Sequence, residues 1–198
     1  MDDQLFVIIT IIFVVYVSYS IYHDSDYFQL KCIISSENSK KYCVRERKKL
    51  KEAADLIARV SIKLEQLVQH MQSDDPDSDM VQRIVKNFNP NKIKEILPTS
   101  EYTAYSENKG EKLALCLNEK KEDSNSNLID ENTLMYVAMH ELSHTGTKSI
   151  GHGDEFWDNF KTIIQYSVKY NLYSPVDYKN NNEMYCGMKL TDNPYFDN

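Results

Sequence analysis

Residues 5–22, LFVIITIIFVVYVSYSIY, carry no charge, and only Thr10, Ser18 and Ser20 interrupt the apolar run. Eighteen helical residues rise about 27 Å, close to the roughly 30 Å hydrocarbon core of a bilayer, so the pattern predicts a membrane-spanning helix. A cleaved signal peptide would bring a basic leading segment and small residues at its exit. Here Asp2 and Asp3 lead, and Tyr19, Tyr22 and His23 stand at the exit. An uncleaved anchor over residues 1–23 is therefore expected.

Downstream the period changes. Residues 24–43 read as a short extended or hairpin-like lead-in. From Val44 to about Gln72, apolar residues recur at Leu50, Ala53, Ala54, Ile57, Val60, Leu64, Leu67 and Val68, the spacing of a long amphipathic helix. The break SDDPDSD follows, with Asp77 or Ser78 placed to cap a second helix through about Phe88, and Pro90 and Pro98 bound a short third one.

EYTAYSE and KLALCLNEK, separated by NKGE, show the alternation of a β-hairpin whose turn uses Gly110. A polar loop spans 120–127. Asp130 then offers an N-cap for a helix from Glu131 to about Thr145, and a last helix runs from about Asp154 to Tyr170. The tail reads as irregular. Together these elements predict an α+β fold: an N-terminal transmembrane helix followed by a helix-rich domain, residues 44–198, with a small antiparallel sheet.

The net charge of -7 gives no electrostatic case for binding nucleic acid, which usually shows as a basic domain or stripe, so no nucleic acid is expected as a partner. Arg45, Arg47, Lys48, Lys49 and Lys51 cluster, but Glu46 and Glu52 interleave with them, and the segment reads as a solvated helix face. No Lys or Arg precedes the apolar run, whereas Lys31, Lys40 and Lys41 follow it, which places the C-terminal domain on the cytoplasmic side, or on the equivalent face of a viral membrane. None of the 16 asparagines starts an N-x-S/T sequon, in keeping with that side. Cys32, Cys43, Cys116 and Cys186 are then expected to be reduced core thiols. Cys32 and Cys43 nevertheless flank a polar turn that can bring them together, and a disulfide there would contradict that orientation unless the compartment has its own oxidising machinery.

The chemistry sits in residues 139–157, MHELSHTGTKSIGHGDEFW. His140 and His144 are four apart, so a helix presents both imidazoles on one face. At that spacing two neutral imidazoles reach one zinc ion, while Glu141 between them is placed to take a proton from a water molecule. On this chain's His and Glu content the H-E-x-x-H pattern arises by chance in roughly one sequence of this length in a hundred. Uncharged Val137, Ala138, Leu142, Ser143 and Thr145 surround it, as a buried active-site helix requires, and Gly146 supplies a helix stop. His152 is the best third ligand, arriving after a loop that turns back. Asp154, Glu155 and Asp158 are the alternatives. Phe156, Trp157 and Phe160 read as packing behind the metal loop. Among Tyr166, Tyr170, Tyr173, Tyr178 and Tyr185, none is singled out as an oxyanion donor.

VAMHELSHT resembles the extended zincin consensus, and HGDEFW resembles the H-G-x-x-F segment of SprT-like metallopeptidases and of the related Wss1-like (WLM) family. The resemblance covers about residues 101–170. It implies a zincin-like domain in which His140, His144 and His152 bind Zn2+ and Glu141 is the general base, with the preceding hairpin's edge strand pairing with substrate backbone. Seven residues separate His144 from His152, longer than the usual WLM interval. The basic DNA-binding and ubiquitin-like-binding segments that accompany crosslink repair in those families are not found here. The anchored layout and the Asn, Lys and Tyr-rich composition are similar to metallopeptidases encoded by large DNA viruses. The function expected is a membrane-anchored zinc endopeptidase acting on a protein or peptide substrate. The alternatives are a zincin fold kept for binding alone and a structural membrane protein in which the motif is accidental.

Overall fold

The structure, a computed structural model, describes residues 2–121, 123 and 127–197. Half of the polar loop expected at 120–127, residues 122 and 124–126, lies outside these residues. The apolar run forms α1 (Asp2–Asp24), and its stretch Asp3–Asp24 is long and apolar enough to cross a membrane. No part of that stretch is buried against the rest of the chain, so it presents a continuous apolar surface that water does not stabilise.

The helical turn α2 (Asp26–Gln29) leads into an antiparallel hairpin, β1 (Leu30–Ile34) and β2 (Lys41–Arg45), whose register sets Cys32 opposite Cys43. These two form a disulfide. The hairpin rests on the domain through Tyr42 and Val44, both in the core. The long helix α3 (Leu50–Asp74) therefore starts six residues later than the apolar spacing suggested, because Val44 and Arg45 are strand. Its predicted stripe is the buried one: Ala53, Ala54, Ile57, Val60, Leu64 and Leu67 are fully enclosed.

Only part of the basic cluster is solvated, at the exposed Lys48, Lys49 and Lys51. Arg45 and Arg47 are buried around the fully buried carboxylate of Glu95. Arg47 pairs with Glu95 and donates to Asn118 Oδ1 (2.6 Å). Arg45 donates through Nε to the Ile96 carbonyl (3.0 Å) and through Nη2 to the Leu97 carbonyl (2.9 Å), and its amide reaches Glu95 (2.7 Å). A buried carboxylate needs such compensation, and the planar guanidinium supplies several donors at once. Burial pushes the Glu95 carboxyl up, and the two arginines pull it back.

Ser78 caps α4 (Asp79–Asn87) as expected. The short helix expected between Pro90 and Pro98 is instead a 3-10 turn at Pro90–Lys92 followed by β3 (Ile93–Glu95). The predicted hairpin is β4 (Ala104–Glu107) and β5 (Lys112–Leu115), and β3 joins β5 in parallel, giving the order β3-β5-β4 with β4 at an edge. Asp130 Oδ1 accepts the Thr133 amide (2.9 Å) at the start of α5 (Glu131–Gly146), which packs against α3, α4 and α6 (Asp154–Lys169). The tail contains a small hairpin that its short strands hid, β6 (Glu183–Tyr185) and β7 (Met188–Leu190). A second disulfide, Cys116–Cys186, fastens it to the residue after β5. The four cysteines are thus paired rather than free thiols. The fold is α+β: helices around small sheets, with one exposed apolar helix at the N-terminus.

Candidate metal centre and cleft

The motif helix α5 is buried on nearly every side, with Leu134, Met135, Ala138, Met139 and Leu142 in the core. Only the face bearing His140 and His144 reaches a cleft. Gly146 is the last residue of the helix and is not left-handed; its missing side chain serves packing, since a Cβ there would stand 2.8 Å from Met80 Cγ on α4. Gly110, in the β4–β5 turn, has φ +108°, and a Cβ there would meet the Thr145 side chain at 2.5 Å. The turn and the motif helix can approach only because that residue lacks a side chain.

The chain then returns through residues 147–153 and brings His152 back over the helix. His152 Nε2 lies 3.0 Å from His140 Nε2, and one nitrogen from each of His140, His144 and His152 falls within 4.8 Å of the others. The ring centroids form a near-equilateral triangle of 5.1, 4.9 and 4.9 Å. Phe156, fully buried, is the floor beneath it, with its ring 4.8, 4.5 and 4.6 Å from the three imidazoles. Phe160 is buried behind it, while Trp157 stays partly exposed.

Two side chains hold the returning loop. Lys109 donates its ammonium to the carbonyls of Thr147 (2.9 Å), Lys148 (3.4 Å) and Ser149 (2.9 Å). Glu155 accepts from the amides of Lys148 (3.0 Å) and Ser149 (3.1 Å) and from the Ser149 hydroxyl (2.9 Å). Those bonds hold the Glu155 carboxyl down at about 2. Glu155 is thus occupied with the loop, and neither it nor Asp154 or Asp158 belongs to the cluster of potential ligands found among the described residues.

Burial, with His144 and His152 adding to it, holds His140 down at about 3; burial and His152 hold His144 at about 4. Both rings are therefore neutral at pH 7, the form that donates a lone pair to a metal. Nitrogens each about 2.1 Å from a shared tetrahedral zinc sit roughly 3.4 Å apart, inside the observed span, so the donor set fits the ion in number, type and spacing. Glu141 stands beside the triad, nearly enclosed yet lining the cleft. Burial pushes its carboxyl up to about 8, opposed by the Ser106 amide that donates to it from β4.

The cleft has a volume of about 1120 Å³. The edge strand β4 and the residues before it form one wall; Ser149, Ile150 and Gly151 form part of the other. Tyr102 and Tyr105 line it, and sequence reasoning had passed them over. Tyr105 lies on β4 and Tyr102 just ahead of it, and that nearness to the hairpin before the motif was the only signal. None of the five tyrosines considered earlier lines it: Tyr185 is enclosed, its hydroxyl donating to the Thr103 carbonyl and accepting the Cys116 amide, and Tyr170 donates to Asp74. His23 lies among Tyr19 and Tyr22, and His70 stacks on Tyr170, both outside the cluster.

No family model matches the chain. Uncharacterized protein R325 of Acanthamoeba polyphaga mimivirus is 27% identical over 163 residues, covering 80% of this chain and 81% of that protein. Uncharacterized protein 042R of Invertebrate iridescent virus 3 is 39% identical over 46 residues, 23% of this chain and 29% of its own length. Uncharacterized protein 136R of Invertebrate iridescent virus 6 is 32% identical over 59 residues, 30% of this chain and 33% of its own. The crystal structure of Wss1 from Saccharomyces cerevisiae superposes with a TM-score of 0.47 at 18% identity, covering 63% of this chain and 84% of that one. The relatives in sequence are thus viral proteins of uncharacterized function.

Proposed function

We propose that this protein is a membrane-anchored, zinc-dependent endopeptidase. One observation carries the reading: three imidazoles converge on one point in an open cleft, with a buried carboxyl beside them. His140, His144 and His152 would hold the ion. Bound zinc supplies Lewis acidity, polarising a carbonyl and making water acidic near neutral pH.

The remaining work falls to the chain's own groups. With a cation held by the three histidines, Glu141 would be ionised despite its burial, and its carboxylate would accept a proton from the attacking water and deliver it to the departing amide nitrogen. The Ser106 amide orients that carboxylate from β4. The exposed edge of β4 offers main-chain groups to an extended substrate, fixing the peptide bond across the triad. Phe156 and the loop held by Lys109 and Glu155 keep the three imidazoles in register.

Residues 5–22 form the anchor, and the lead-in 24–43 joins it to the peptidase unit. The lysines that follow the span set the domain on the cytoplasmic face of a viral or cellular membrane. The two disulfides then require that this face maintain an oxidising chemistry of its own. Protein or peptide is the substrate and nucleic acid is not.

The test is Glu141→Gln in the full chain, purified in detergent and offered a randomised peptide pool. Zinc content should be retained, and cleavage should fall by about 10²- to 10⁴-fold. Equal cleavage by both proteins would overturn the reading.

A further inference from the structure

The cleft does not open at an arbitrary place on the domain. Asp24, the last residue of the apolar helix, lines the same cavity as His140, Glu141, His144 and His152. Three contacts fix that junction: Thr99 Oγ1 donates to the His23 carbonyl (3.3 Å), Gln29 Nε2 donates to the Tyr22 carbonyl (3.0 Å), and Lys94 pairs with Asp26. Thr99 itself lines the cleft. The helix end is thus part of the cleft wall, and a bilayer around residues 5–22 ends where the cleft begins.

The surroundings fit an interface. Tyr19, Tyr22, Tyr27 and Phe28 are exposed around the helix exit, the composition found where headgroups meet water. Tyr102 is exposed on one cleft wall, and Ile150, at 95% exposure, projects from the other. The charge of the cleft is one-sided. Asp24 and Glu101 line it beside Glu107, which pairs with Lys112, while the one lysine among the described lining residues, Lys109, directs its ammonium to the loop carbonyls. Cytoplasmic juxtamembrane segments are enriched in Lys and Arg, the complement of such a lining.

We propose that the cleft takes the extended, basic juxtamembrane segment of a second membrane-anchored polypeptide, presented along the same bilayer face. This rests on the peptidase reading for what happens after docking, but docking itself is testable without turnover. Confinement of both chains to one surface replaces a search through bulk solution, so position relative to the membrane becomes a determinant of specificity.

The experiment uses the full chain in phosphatidylcholine vesicles with a co-reconstituted single-span reporter. A randomised twelve-residue segment stands either directly beside the bilayer or beyond a proline-rich spacer of 30 residues, which extends about 90 Å. Binding is read with zinc-loaded Glu141→Gln protein in which Tyr102 is replaced by the photo-crosslinker p-benzoylphenylalanine, and cutting is read with the wild-type chain by mass spectrometry. At least about tenfold more crosslinking to the adjacent segment is expected, with captured sequences enriched in Lys and Arg. Equal crosslinking to both segments, crosslinking to neither, or capture of acidic sequences would overturn the inference. Cutting of both segments alike would leave the peptidase reading standing, whereas crosslinking to the adjacent segment with no cutting by the wild-type chain would sink the peptidase reading and leave the docking in place.

Discussion

Phe156→Ala separates a packing residue from a site-forming one. The ring is fully buried and sits within 4.8 Å, centroid to centroid, of each of the three imidazoles, with Phe160 at 5.9 Å behind it. Removing a buried phenyl group costs about 3–5 kcal/mol, because the transfer energy is lost and the rigid α5–α6 packing cannot collapse into the space. Against a typical total stability of about 5–15 kcal/mol the variant should still fold in the cold. The triad loses its common floor at the same time, and loss of an orienting neighbour weakens metal binding by about 10- to 100-fold. Phe156→Leu keeps most of the volume and should cost no more than about 1.5 kcal/mol. Urea unfolding measures the first effect, and zinc competition against a chromophoric chelator measures the second. Unchanged stability in Phe156→Ala would contradict its burial. Lost stability with unchanged zinc affinity would refute the claim that this ring sets the geometry of the three histidines.

Lys109→Ala should weaken zinc binding by about tenfold while leaving the unfolding midpoint nearly unmoved, and Lys109→Arg should restore part of it; full affinity in the alanine variant would show that the His152 loop holds itself. Replacing Cys116 and Cys186 together should destabilise the domain by about 4 kcal/mol, the loop-closure value for a separation of 70 residues, read as a lowered urea midpoint under non-reducing conditions. The metal-free protein should be most stable near pH 6.5. Below it the unfolded chain takes up protons that His140 and His144, held at about 3 and about 4, refuse; above it the folded chain retains the Glu141 proton, up to about 8, that the unfolded chain has released. Thermal melts in chelator should therefore fall between pH 6.5 and 8 in the wild type but not in Glu141→Gln, and a parallel decline in both would remove Glu141 as the cause.

What was legible in the sequence is what local chemistry decides. The stripe of α3, the caps at Ser78 and Asp130, the hairpin around Gly110 and the convergence of His152 on the H-E-x-x-H pair all follow from periods and spacings of a few residues. The misses involve partners far apart in the chain. Nothing near Arg45 or Arg47 announces a buried Glu95 some 50 residues away, so their charges read as solvated. Cys116 and Cys186, at a separation of 70, looked like core thiols for the same reason. Strands of three residues such as β3, β6 and β7 are too short to show a period, and tertiary pairing alone defines them. Tyr102 and Tyr105 matter through the cleft they line, which exists only once β4 faces the motif helix.

Three histidines from one helix and the loop after it are expected to form one zinc site. The most direct measurement is the zinc content and affinity of the full chain, purified in detergent and dialysed to equilibrium, beside His152→Ala. About one zinc per chain, with affinity at least tenfold weaker in the variant, is the result the geometry predicts. No zinc in the wild type, or equal affinity in both proteins, would contradict it.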